Sequence, residues 1–240
     1  MGVQGLFKEL NKRGLKARVF TAAPETMRVL PAAQRRIVVD ACSVAGFLYS
    51  RLFYGGNFVA MERQIQGFVS NFTGAGFRVT AVVDGALDLA KTGVWLQRRV
   101  REGQQMGKIH AEIEAFNRTH RSAPRASHAE ATCTATWKSL VAELFVGAGC
   151  EVVMSPVEGD REAAAICLLD GCFGVVSDDS DMLVFGVPRV VRPNTIKCRS
   201  QRLTFEFFHA DDVSKALGLP TPLLPLFALL SSNQPLVCSS

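Results

Sequence analysis

Four short β-branched runs in this chain each deliver the backbone into acidic residues, and helical patterns separate the runs. Ile37-Val38-Val39 ends at Asp40 and Ala81-Val82-Val83 ends at Asp84. Glu151-Val152-Val153-Met154 leads through Ser155-Pro156 to Glu158 and Asp160, and Gly174-Val175-Val176 leads into Ser177-Asp178-Asp179-Ser180-Asp181. Apolar runs this short read as buried strands. Between them, Met61 to Phe72 places Ile65, Phe68, Val69 and Phe72 at three- and four-residue spacing. Trp137 to Val146 does the same with Trp137, Leu140, Val141, Leu144 and Phe145, and Glu162 to Leu169 is rich in alanine and leucine. Strands alternating with helices predict an α/β fold, a central and mostly parallel sheet flanked by helices. The 240 residues suffice for one such domain, expected over 1–230, with 231–240 as an atypical tail that reads as truncated or disordered.

In open parallel sheets ligands bind beyond the carboxyl ends of the strands, so an acid placed just after an apolar run faces that crevice. Six acids meet this condition: Asp40, Asp84, Glu158, Asp160, Asp179 and Asp181. Singly, each has an ordinary structural use as a turn former or helix cap. Recurring at four strand ends, they describe a cluster of like charges that repel unless something neutralises them. Hard divalent cations do so, and an oxygen-only donor set favours Mg²⁺ or Mn²⁺ over zinc. Two such ions support in-line phosphodiester cleavage. Asp179 and Asp181 stand two apart and share a face of an extended segment, whereas Asp178 points away and is set aside. Glu158 and Asp160 diverge on a regular helix, so Glu158 is expected before the helix or in an irregular first turn.

Cations complete the pattern. Lys91 and Arg98 stand seven residues apart, two turns along one helical face, where they are placed to hold a phosphate. Net charge is only +5, but Lys91 to Ser127 carries eight Lys or Arg against three Glu, and Val187 to Phe205 carries five basic residues and no acid. Residues 96–130 are polar, basic and weakly periodic, which predicts a helical insertion, with Arg99, Arg101 and Lys108 as further contacts for a polyanion. Seven cysteines form no CxxC pair and are expected as reduced thiols inside a cell. No membrane anchor is expected: the longest apolar stretch, Leu217 to Leu230, contains three prolines and is too short to span a bilayer.

Taken together, these residues resemble the flap endonuclease, or XPG-like, superfamily. Met1-Gly2-Val3-Gln4-Gly5-Leu6 is similar to its N-terminal motif, VVDA with Asp40 and VVDG with Asp84 to its first metal ligands, and Lys91 and Arg98 to its arch-base lysine and arginine. Glu158-Gly159-Asp160-Arg161-Glu162 resembles its second acidic motif, and Ser177 through Gly186 its third, in wording closest to the asteroid branch. The resemblance implies a PIN-like (5′-nuclease) fold with an arch-like insertion over 96–130. It further implies two Mg²⁺ ions (Mn²⁺ as a substitute), cleavage of 5′-flap or single-stranded DNA, and a nuclear, DNA-repair setting. Under it, Asp40, Asp84, Glu158 and Asp160 hold one ion, and Asp160, Asp179 and Asp181 the other. Two departures stand out: Asn233 occupies the place of a further aspartate, and the family's helix–two-turn–helix module does not follow. Both suit an alternative, a catalytically weak PIN-like nucleic-acid-binding or regulatory scaffold; a small-molecule phosphatase pocket is a third reading that the basic segments oppose.

Overall fold

The computed structural model of the chain describes residues 6–54, 58–85, 92–119, 135–156, 158–199 and 202–226. Its framework is a sheet of eight strands: β1 (Arg18–Ala22), β2 (Arg36–Asp40), β3 (Arg78–Val83), β4 (Glu151–Met154), β5 (Val175–Val176), β6 (Arg189–Val191), β7 (Lys197–Arg199) and β8 (Arg202–His209). They lie in the order β1-β8-β6-β5-β2-β3-β4, with β7 pairing on β8. The five from β6 to β4 run parallel, and β8 is antiparallel to β1, β6 and β7. The helices are α1 (Leu6–Lys12), α2 (Pro24–Val29), α3 (Ala41–Tyr54), α4 (Phe58–Gly74), α5 (Thr92–Thr119), α6 (Ala135–Gly147), α7 (Gly159–Leu169), α8 (Asp181–Val184) and α9 (Ala210–Leu217). Among the described residues no helix is long and apolar enough to cross a membrane.

Strand alternation sorts the core into two faces. Ile37, Val39, Val79, Ala81, Val83 and Val176 pack with Val44, Met61, Ile65, Phe72, Trp137 and Phe145 of α3, α4 and α6. Val38, Val82, Val175 and Val190 point the other way, against Leu10, Ala163, Cys167, Leu183 and Val213 of α1, α7, α8 and α9. The central strands therefore bury both faces, which is why their sequences run apolar without a polar alternate. At the β1/β8 side an aromatic cluster joins the sheet to α4: the Phe205 ring centroid lies 5.3 Å from Phe20, 6.0 Å from Phe72 and 5.7 Å from Phe173. Arg18 locks the same edge through paired 2.6 Å hydrogen bonds to Asp212, and the guanidinium holds that carboxyl below its usual range.

Connectivity sets the position of the site. From β2 the chain steps outward to β3 and β4, then returns to the other side of β2 for β5 and β6. The reversal falls at β2, so the crevice opens above its carboxyl end, where Asp40 is the last strand residue.

Candidate active site

Asp40 is held where β2 turns into α3. Its Oδ1 accepts the Ser43 backbone N–H at 3.0 Å, and its Oδ2 accepts the Ser177 hydroxyl at 2.8 Å. The residue is only 6 % exposed, and burial pushes its pKa up to about 7. The Asp84 and Asp179 carboxylates add to the rise, and the Ser43 and Ser177 hydrogen bonds oppose it. The two serines also fasten the neighbouring loop: Ser177 Oγ accepts the Asp179 N–H at 3.0 Å, and Ser43 Oγ accepts the Asp178 N–H at 3.1 Å.

Asp84 follows β3 directly. Its Oδ1 accepts the Gly159 N–H at 2.7 Å, so the first turn of α7 presents an unpaired helical amide to a carboxylate. Lys138 of α6 donates to the Gly85 carbonyl at 3.0 Å and places its ammonium 3.9 Å from Asp84 Oδ2. Glycine is required at Gly85, and at Gly159 it leaves the Asp84 carboxylate its place. A Cβ at Gly159 would stand 2.7 Å from Asp84 Oδ1, and one at Gly85 would stand 1.7 Å from the Ser155 carbonyl oxygen.

Glu158 precedes α7 with extended backbone (φ −108, ψ 127), as its spacing from Asp160 requires. Its carbonyl accepts the Ser155 hydroxyl at 2.9 Å, and its Oε2 lies 3.9 Å from Arg161 Nε. Asp160 sits in the first turn of α7, where burial first, and then the Asp40, Asp179 and Asp84 carboxylates, push its pKa up to about 8.

The third acidic segment departs from expectation. Asp179 and Asp181 do not share a face of an extended segment: Ser180 is helical (φ −71, ψ −15), Asp181 opens α8, and Asp179 Oδ1 accepts the Asp181 N–H at 3.0 Å. A helix start needs an acceptor for its free amides, and the aspartate two residues upstream supplies one. Asp178 is exposed and faces Arg192, with Oδ1 3.5 Å from Nε.

The structure thus brings Asp40, Asp84, Asp160 and Asp179 within electrostatic reach of one another at four strand ends, with Glu158 and Asp181 beside them at the starts of α7 and α8. Among the described residues, no three His, Cys, Asp or Glu side chains already stand close enough to hold one ion. Asp40, Asp84 and Asp179 each accept a hydrogen bond from a donor beside them. In ligand type and charge the donor set fits hard divalent cations, and the raised pKa values of Asp40 and Asp160 express burial first and the neighbouring carboxylates second, both of which such a cation would offset.

Lys91, the side chain of Arg98 and Asn233 lie outside the described residues. Of the remaining cations, Arg99 stacks on Trp95 of the same helix, 5.0 Å from the ring centroid, and Arg101 and Lys108 are exposed along α5. The helix begins at Thr92 and runs unbroken to Thr119, four residues earlier than the expected insertion. Sequence reasoning missed Ser43, Ser177, Lys138 and Gly159. Only Ser177 carried a local signal, a hydroxyl between a buried strand and an acidic pair.

Residues 149–233 match the family model for the XPG I-region. The human constitutive coactivator of peroxisome proliferator-activated receptor gamma is 25% identical over 206 residues, 85% of this chain and 22% of that protein. The chain therefore spans about a fifth of that relative's length. Flap endonuclease 1 of Zea mays is 48% identical over 44 residues, 18% of this chain and 12% of that one. The catalytic core of Rad2 in complex with DNA substrate superposes with a TM-score of 0.60 at 20% identity, over 97% of this chain and 63% of that one. The match to the XPG I-region covers the segment that carries Glu158, Asp160, Asp179 and Asp181, and the chain shares its fold with the catalytic core of Rad2.

Proposed function

We propose that the chain is the core of a Mg²⁺-dependent nuclease acting on 5′-flap or single-stranded DNA. One observation carries the reading: four carboxylates from four strand ends come within electrostatic reach of one another at the sheet's reversal point, and Asp40 and Asp160 are raised to about 7 and about 8 by burial first and by the neighbouring carboxylates second. Asp40, Asp84, Asp160 and Asp179 are the residues to hold the ions, with Glu158 and Asp181 completing the set. When bound, such ions activate water and stabilise the leaving oxygen of a phosphodiester.

The chain's own residues supply orientation. Ser43 and Ser177 hold both oxygens of Asp40, and the Gly159 amide and Lys138 hold Asp84. Such support keeps reacting groups within the narrow tolerance that phosphoryl chemistry demands. Lys91 and Arg98, with Arg99, Arg101 and Lys108 along α5, are the candidates to grip the phosphate backbone. The test is cleavage of a 5′-flap substrate and of a single strand in Mg²⁺, with Asp179→Ala expected to abolish it. Full activity in that variant, or in chelator, would sink the metal mechanism.

A second reading is a nucleic-acid-binding or regulatory scaffold that cleaves little, in line with the asteroid-like wording of its acidic motifs. It is favoured by Asn233 and by the similarity, over 85% of the chain, to a protein named as a coactivator. Salt-sensitive DNA binding with no turnover at any Mg²⁺ or Mn²⁺ concentration would select it.

A further inference from the structure

Helix α5 displays an aromatic ring where a solvated helix ordinarily carries polar side chains. Trp95 is 38 % exposed, and Leu96 and Val100 beside it are 53 % and 62 % exposed. The Arg99 guanidinium sits one turn on, 5.0 Å from the Trp95 centroid. From Thr92 to Ala111 the helix carries Arg98, Arg99, Arg101 and Lys108 against one acid, Glu102. It begins eight residues after Asp84, so it is tethered to the carboxylate edge.

An exposed indole beside a guanidinium in a basic field matches one ligand chemistry, a polyanion with flat, uncovered π faces. We propose that Trp95 and Arg99 form a stacking platform for an unpaired base of single-stranded DNA, an inference that rests on the nucleic-acid reading above. Arg99 fixes the ring through a cation–π contact, and both planes are able to stack a base, while the neighbouring cations take the phosphates. Duplex bases are covered by their own neighbours and have no free face to offer. An apolar peptide would gain from Leu96 and Val100 but not from the four cations.

The chain contains two tryptophans, and the other, Trp137, is buried at 2 % exposure, so emission separates them. Titration in chelator, where cleavage is stopped, with oligo(dT) and with a blunt duplex of equal length reads the platform directly. Oligo(dT) is expected to quench the Trp95 emission and the duplex to leave it. Trp95→Leu, which keeps an apolar helix former, is expected to lose the quench and to weaken oligo(dT) binding about 5- to 100-fold, with Trp95→Phe recovering most of it. The emission of Trp137 reports that the Leu variant is folded. Unchanged oligo(dT) affinity in Trp95→Leu, or equal quenching by duplex, would overturn the platform. Should that happen while Mg²⁺-dependent cleavage persists, the platform alone falls; a working platform with no cleavage in any divalent ion removes only the nuclease reading.

Discussion

At the residue scale, Asp40 and Asp160 hold positions where an ionised carboxyl costs stability. In the unfolded chain both carboxyls ionise near the ordinary value of 3.8, whereas in the folded chain they hold their protons to about 7 and about 8. Between these limits the folded state binds more protons, so without divalent ions stability is greatest on the acid side and is lost as pH rises toward 8. The expected slope is on the order of 1 kcal/mol per pH unit between pH 5 and 7. Asp40→Asn keeps the shape and removes the charge, so it should raise Tm by about 2–4 °C in chelator at pH 8, flatten that slope, and abolish cleavage. Thermal melts across pH decide this, and a lower Tm in Asp40→Asn would contradict it. The acids themselves were legible from their places after apolar runs. Ser177 and Lys138 were not, because their roles depend on partners 137 and 54 residues away, Asp40 and Asp84 respectively.

At the scale of elements, Gly85 lets the ends of β3 and β4 approach closely and Gly159 does the same for the end of β3 and the start of α7, with opposite consequences on substitution. At Gly85 the added Cβ would meet the Ser155 carbonyl at 1.7 Å, which forces backbone apart. Gly85→Ala should cost about 3 kcal/mol, read as a lower denaturation midpoint. At Gly159 the Cβ would meet the end of a side chain, Asp84 Oδ1, at 2.7 Å. Gly159→Ala should therefore leave the fold largely intact, displace the Asp84 carboxylate and lower Mg²⁺-dependent cleavage about 100-fold. A variant as active as the parent would show that the Asp84 carboxylate position does not matter. The turn at Asp179 to Asp181 belongs to this scale too. A two-residue spacing reads as a shared strand face, but the helix that begins at Asp181 claims the Asp179 carboxylate as its acceptor.

Across the whole molecule, Phe205 ties the antiparallel extension to the parallel core. It is fully buried and touches Phe20, Phe72, Phe77 and Phe173, rings contributed by four other parts of the chain. Phe205→Ala should lose about 3–5 kcal/mol in chemical denaturation, and a loss under 1 kcal/mol would mean that the cluster is not a joint. The sequence by itself determined the α/β class, the strands β2 to β5, the helices α4, α6 and α7, and the acids at the strand ends, because apolar periodicity and local punctuation are short-range signals. It left β1, β6, β7 and β8 unseen: three are short or exposed, and β8 takes its place only by pairing with β1, β6 and β7. Only the tertiary structure decided which carboxylates feel one another, since that follows from the reversal of strand order at β2. It likewise decided how strongly they are raised, since burial and repulsion are properties of the assembled edge and not of any motif.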